Sequence, residues 1–143
     1  MIAYMAEPEQ NVPRVCRVLI VEDDPAVQHV FKTLLAAEGF ECLVARDAPS
    51  TRSALAAGDV DVAIMDVMLP GAENGLALAQ EAAERGCGVI VVTGHHDRYD
   101  AVEASGHKYL FKPFRVRALL DVLDEVLRRA NAECRVNGQS YRK

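Results

Sequence analysis

No apolar stretch in the chain approaches the ~20 residues that a membrane span needs. Positive charge is also scarce. Lys and Arg number 16 against 21 Asp and Glu, a formal net charge of −5, which argues against a general nucleic-acid binder. Residues 1–13 lack the basic start and apolar h-region of a signal peptide, so a cytoplasmic protein is the expectation. The cysteines, Cys16, Cys42, Cys87 and Cys134, form no CxxC pair and show no zinc spacing. They are expected to be reduced, mostly packed thiols. His95-His96 is expected in a solvated loop rather than on a metal. Internal repeats and low-complexity tracts are absent from the sequence.

What is present is a chain of 143 residues, half of them hydrophobic. That suffices for one domain with a real core. Residues 1–14, with Pro8 and Pro13, read as a flexible lead, and 132–143 as a flexible tail. The domain is expected over 15–131. Within it, strand-like and helix-like patterns alternate. Val18 to Val21 is a short β-branched run. Asp24 is a good N-cap and Pro25 suits a first helical turn. Val27, Val30, Phe31, Leu34 and Leu35 follow at helical spacing, and Gly39 ends that helix. Glu41 to Ala45 reads as a second strand. A short Ala-rich helix opens at Asp47 and closes at Gly58. Val60 to Met65 is a third strand, followed by a helix over Leu76 to Arg85. Val89 to Val92 is a fourth strand, and a short helix is expected over Tyr99 to Ala104. Lys108 to Phe111 is a fifth strand. Residues 115–129 form the clearest helix, with Val116, Leu119, Leu120, Leu123, Val126 and Leu127 on one stripe. Alternation of this kind predicts βαβ units and a doubly wound five-stranded parallel sheet in the order 2-1-3-4-5, flavodoxin-like.

Four of these strands end in residues with chemical use. The first ends in Glu22-Asp23-Asp24, the third in Asp66, the fourth in Thr93-Gly94 and the fifth in Lys112-Pro113-Phe114. In a parallel sheet those ends meet at one edge, where open α/β sheets place their ligands. Glu22, Asp23 and Asp66 together suit a hard cation such as Mg²⁺. Lys112 adds a positive charge and Thr93 a hydroxyl. Such a set suffices for phosphoryl transfer onto a carboxylate, with Asp66 as the nucleophile. Any one of these residues alone reads as an ordinary strand-end or turn residue. Their joint occurrence on successive strands does not.

The sequence resembles the receiver domain of response regulators, the CheY-like module of two-component signalling in bacteria. The matching residues are Val18 to Asp24, Asp66 with Leu69-Pro70-Gly71, Thr93-Gly94, and Tyr109 to Phe114. The likeness covers roughly residues 16–130, and the separation of Asp23 from Asp66 is typical of the family. The resemblance implies that Asp66 is the phosphoacceptor, charged by a sensor histidine kinase or a histidine phosphotransfer protein. It implies Asp23 as a direct Mg²⁺ ligand, with Mn²⁺ able to substitute, Glu22 supporting the metal, and the Met68 backbone carbonyl completing the set with Asp66. Lys112 and Thr93 would bind the phosphoryl group, Tyr109 would be the switch aromatic, and Lys112-Pro113 a cis peptide. Asp24 is read as an N-cap only.

The chain departs from the family pattern in two places. The loop after Asp66 is one residue longer than its commonest form. Thr93 and Lys112 lie closer in sequence than is typical, so the fourth helix must be short or irregular. Gly94 also replaces the usual alanine, in a short likeness to a Thr-Gly subgroup linked to kinases of the HWE type.

The first reading is a stand-alone phosphoacceptor switch or phosphorelay shuttle with a downstream protein target. It is a self-modifying protein with autodephosphorylation rather than a turnover enzyme. It binds neither DNA nor membrane, and is a monomer or weak homodimer. The alternatives are a phosphorylation-independent interaction module, or a receiver cut from a hybrid kinase or larger regulator. A phosphoaspartate-type hydrolase would need an acid two residues after its nucleophile, where this chain has Met68.

Overall fold

The computed structural model describes residues 14–68, 75–94, 96–130 and 132–141. In chain order the elements are β1 (Arg14–Val15), β2 (Arg17–Val21), α1 (Pro25–Ala37), β3 (Glu41–Ala45), α2 (Ala48–Ala57), β4 (Val62–Asp66), α3 (Gly75–Glu84) and β5 (Gly88–Thr93). A single 3₁₀ turn (His96–Arg98) leads into α4 (Tyr99–Ser105). Then come β6 (Lys108–Phe111), α5 (Val116–Arg129), β7 (Cys134–Val136) and β8 (Gln139–Tyr141).

Local chemistry sets the helix starts. The Asp24 carboxylate accepts from the Ala26 N–H at 2.9 Å, and Pro25 occupies the first turn of α1. Asp47 and Ser50 form a reciprocal capping box on α2. α4 is short, with seven residues and no side-chain cap, as the close spacing of Thr93 and Lys112 requires.

The main sheet has the order β3-β2-β4-β5-β6 and is parallel throughout. This is the expected 2-1-3-4-5 arrangement. Alternate residues of each central strand face opposite layers. Val18 and Ile20 pack with Phe31, Leu35, Leu119 and Leu123 beneath α1 and α5. Leu19 and Val21 pack with Leu55, Leu78, Ala79 and Val102 beneath α2, α3 and α4. Burying each large aliphatic side chain in these layers is worth about 1.5–3 kcal/mol.

Two sequence expectations need correction. Residues 132–141 do not read as a loose tail in the structure, and 142–143 lie outside the described residues. β7 and β8 pair antiparallel through the two-residue turn Asn137-Gly138, and β1 adds in parallel to β7. Asn137 and Gly138 both have positive φ, 44° and 81°, the requirement of a tight hairpin turn that follows the strand twist. Ala132, Cys134, Val136 and Tyr141 are buried in the α1–α5 layer. The hairpin therefore closes the N-terminal end of the sheet. The cysteines are not four thiols either: Cys16 is bonded to Cys134, and only Cys42 and Cys87 are free. The flexible lead falls on residues 1–13, outside the described residues, and Arg14 belongs to β1.

At the same end of the sheet, Arg14 donates twice to the buried Asp61 carboxylate, at 2.7 and 2.8 Å, and the Arg17 N–H donates to it at 2.8 Å. Sequence reading did not single out Asp61. Its carboxylate is the anchor that fixes β1 against the start of β4.

Candidate functional site

Strand register assembles the site. Val21 of β2 pairs with Met65 of β4, so Glu22 stands abreast of Asp66. Asp66 pairs with Val92 of β5, which puts Thr93 one step further along. Thr93 pairs with Phe111 of β6, which puts Lys112 one step beyond that. The polar ends thus form a staircase across the C-terminal edge. The Lys112 side chain is long enough to reach back across it.

It does so. Lys112 Nζ donates to Glu22 Oε1 at 3.0 Å and to Asp66 Oδ2 at 3.3 Å. Glu22 is 4% exposed, so this ammonium is the counter-charge that makes its burial tolerable. Burial of Lys112 opposes its charge, but Glu22 and Asp66 outweigh that and raise its pKa. The other Asp66 oxygen, Oδ1, accepts the Met68 N–H at 2.8 Å, which fixes the plane of the carboxylate. Glu22 Oε2 accepts the Asp24 N–H at 3.1 Å, and Gln28 donates its side-chain amide to the Glu22 carbonyl. Gln28 was not singled out from sequence. Its place one turn into α1 ties that helix to the acidic edge.

Glu22, Asp23 and Asp66 each offer an oxygen, all within 4.8 Å of one another. Asp24 is not in that group and acts as the N-cap. The Asp23 carboxyl is pushed above its ordinary range, first by its hydrogen bond with Glu22 and then by desolvation. Three carboxylates facing one ammonium are short of positive charge. A small oxygen-binding divalent cation fits this donor set.

Thr93 is fully buried at the end of β5, and its carbonyl accepts the Lys112 N–H at 2.8 Å. The Lys112–Pro113 peptide is cis. Tyr109 lies in β6 and packs against the layer beneath α2, α3 and α4. Its hydroxyl donates to Glu103 Oε2 of α4 at 2.5 Å, and this bond holds the phenol protonated. Its ring meets Tyr99 and Phe111 edge-on, at 6.2 and 5.6 Å between centroids. Residues 69–74, with the Leu69-Pro70-Gly71 motif and the lengthened loop, and His95 lie outside the described residues.

Gly75 shows how tightly the next helix abuts the site. A Cβ there would stand 2.0 Å from the Asp66 carbonyl oxygen and 2.8 Å from the Val67 Cα. Only glycine allows α3 to start against the end of β4.

The family model for the response regulator receiver domain matches residues 18–124. The chain belongs to that family. Among curated relatives, the transcriptional regulatory protein AruR of Pseudomonas aeruginosa is 32% identical over 122 residues, covering 79% of this chain and 50% of that protein. The aerobic respiration control protein ArcA of Escherichia coli is 34% identical over 106 residues, covering 71% and 44%. The chain thus spans about half the length of the curated relatives it matches. A receiver domain protein from Methanospirillum hungatei superposes with a TM-score of 0.70 at 30% identity, over 78% of this chain and 92% of that one. The signal receiver domain of an HD domain-containing protein from Pseudomonas fluorescens gives 0.72 at 26%, over 80% and 95%. At the level of the family, the chain is a phosphoacceptor module of two-component signalling. No helix among the described residues is long and apolar enough to cross a membrane.

Proposed function

We propose that Asp66 accepts a phosphoryl group from a phosphohistidine of a sensor histidine kinase or a phosphotransfer protein. One observation carries this reading: Lys112 bridges Glu22 and Asp66 at an edge where three carboxylates have converged. Such convergence is costly unless cations complete it. In the transfer, an Asp66 oxygen forms the new O–P bond, the P–N bond to the donor histidine breaks, and the imidazole leaves with a proton. The Met68 N–H orients the carboxylate for this attack. The Lys112 ammonium is placed to move from Asp66 to an oxygen of the arriving group. The Thr93 hydroxyl, on the next strand, is proposed as a further donor to the same group.

Asp23, Asp66 and the Met68 carbonyl would hold Mg²⁺ or Mn²⁺ directly, with Glu22 supporting it. The ion would supply charge neutralisation for the phosphoryl oxygens. Tyr109 is proposed as the switch aromatic, since its bond to Glu103 ties β6 to the short α4. A change at Thr93 would reach α4 through it and alter the surface offered to a downstream protein. We assign the chain to the cytoplasm, as a self-modifying acceptor rather than a turnover enzyme, with Met68 where a hydrolase would place its second acid. No contact with DNA is proposed, and we propose residues 15–131 as the receiver unit, on whose sheet Arg14 and the hairpin at 132–141 are packed.

The test is intact mass after incubation with Mg²⁺ and acetyl phosphate, beside an Asp66→Asn variant. One phosphoryl mass gained by the wild type alone supports the reading. No gain in either would favour a phosphorylation-independent interaction module.

A further inference from the structure

We propose that Cys16 and Cys134 form a redox-responsive lock. A low-molecular-mass thiol–disulfide couple of the glutathione class opens and closes it, and its state decides whether the β7–β8 hairpin stays docked. This goes beyond phosphoryl transfer: the bond lies at the N-terminal end of the sheet, and Asp66 at the other.

Beside the disulfide, the segment is held by the burial of Ala132, Val136 and Tyr141 in the α1–α5 layer and by polar contacts. The hairpin spans only residues 134–141, and an isolated two-stranded hairpin is at best marginally stable. β1 offers it two paired positions. The Cys16 N–H donates to the Arg135 carbonyl at 2.9 Å. The Asn137 side chain donates to the Glu38 carbonyl at the end of α1, and the Tyr141 hydroxyl donates to Asp124 of α5 at 2.5 Å. Apart from the chain itself, the Cys16–Cys134 bond is the one covalent tie of this segment to the sheet, and it closes a separation of 118 residues. Such a bond acts chiefly on the freedom of what it tethers.

Chemistry at the sulfurs couples redox state to docking. Cys16 and Cys134 are both 0% exposed. Thiol–disulfide exchange needs a thiolate aligned on an exposed disulfide sulfur. A reductant therefore reaches the bond only when the hairpin lifts. Asp61 places a carboxylate oxygen within 4.8 Å of both sulfurs. Asp61 is itself paired with Arg14, so it is the full burial of Cys16 and Cys134 that disfavours a thiolate and keeps the reduced pair unreactive while docked. Cys42 and Cys87 do not compete, because burial pushes both thiols up.

The reaction balances. On opening, the first thiolate of the attacking small thiol forms a mixed disulfide with Cys134 and frees Cys16. A second thiolate attacks the mixed disulfide and releases Cys134. Two small thiols give one small disulfide, and their two protons end on the two cysteines. Closure is the reverse, with the small disulfide as oxidant.

The experiment equilibrates the full chain in reduced and oxidised glutathione at a series of ratios, and traps thiols with an alkylating reagent. Hydrogen exchange is then read over residues 132–141 and over β5. Cys16 and Cys134 are expected to become alkylated together within the range of ratios used by living cells. In that reduced protein, exchange in the hairpin is expected to rise about tenfold or more while β5 protection is unchanged. A Cys134→Ala variant should show the same loosened hairpin at every ratio. The proposal is overturned if the bond resists all ratios, since it is then a permanent staple. It is overturned equally if the reduced hairpin keeps its protection, or if β5 loosens with it. Phosphoryl gain at Asp66 is measured in the same samples, so failure of either reading is seen separately.

Discussion

At the residue scale, the acidic edge is out of electrostatic balance. Glu22 and Asp66 share Lys112, while Asp23 stands beside both carboxylates and the pKa of its own carboxyl is raised, first by its hydrogen bond with Glu22. An Asp23→Asn variant should therefore be slightly more stable than the wild type without divalent cation, with a melting temperature higher by about 2 °C. A fall on substitution would show that Asp23 makes a favourable contact that outweighs the repulsion. The convergence of the candidate residues Glu22, Asp23, Asp66, Thr93 and Lys112 was legible because each lies at the end of an apolar run, and a parallel sheet brings such termini together. Cys16 and Cys134 were not. Their pairing depends on a chain reversal far along the sequence, and nothing in their local spacing signals it. Asp61 was missed for a related reason: one acid inside the apolar run from Val60 to Met65 reads as a solvent-facing position until Arg14 and Arg17 are seen around it.

At the element scale, the helices were readable from their caps. Asp24-Pro25 and the Asp47/Ser50 pair give α1 and α2 their starts within a residue. The last hairpin was not readable from hydropathy, because its strands have three residues each and half of those are polar. The signal present was Asn137-Gly138, the residue pair that a two-residue hairpin turn demands. Docking of this hairpin depends on Tyr141 and Asp124, which sets a pH response. Burial and then Asp124 push the Tyr141 phenol up to about 12. Its contribution is thus complete below its ordinary value of 10.0 and is lost as pH rises through about 12. Tyr141, and then Arg128, hold Asp124 below its ordinary 3.8, so that contribution is present above 3.8 and is lost as pH falls through the lowered value. Protection over 134–141, taken relative to the intrinsic exchange rate at each pH, should fall at both extremes, and a Tyr141→Phe variant should lack the alkaline limb. An alkaline limb unchanged in that variant would place its origin elsewhere. The contact of α3 with β4 sets a second expectation. Gly75→Ala cannot be accommodated without moving the start of α3 away from Asp66. A destabilisation of about 2 kcal/mol or more in urea unfolding is expected, with slower phosphoryl gain from acetyl phosphate. Wild-type behaviour in both would mean that the helix start yields easily.

At the scale of the whole molecule, the sheet has two differently built ends. The C-terminal edge carries crowded charge, and the N-terminal end is closed by a disulfide, a hairpin and the Arg14–Asp61 ion pair. Cation binding at the first should stabilise the entire fold, because the proposed ligands follow β2 and end β4, at the centre of the sheet. Mg²⁺ at ten times its dissociation constant should add about 1.4 kcal/mol, or about 5 °C in melting temperature. An Asp66→Asn variant should gain far less. An equal gain in both proteins would place the ion somewhere else.

The central claim is that one carboxylate among several takes the phosphoryl group. The most direct measurement is digestion of the acetyl phosphate-treated protein, with tandem mass spectrometry to locate the added group. The expected result is a single phosphoryl group, carried by the peptide that contains Asp66 and assigned to that side chain. A phosphoryl group found on Glu22 or Asp23, or scattered over several acids, would contradict it.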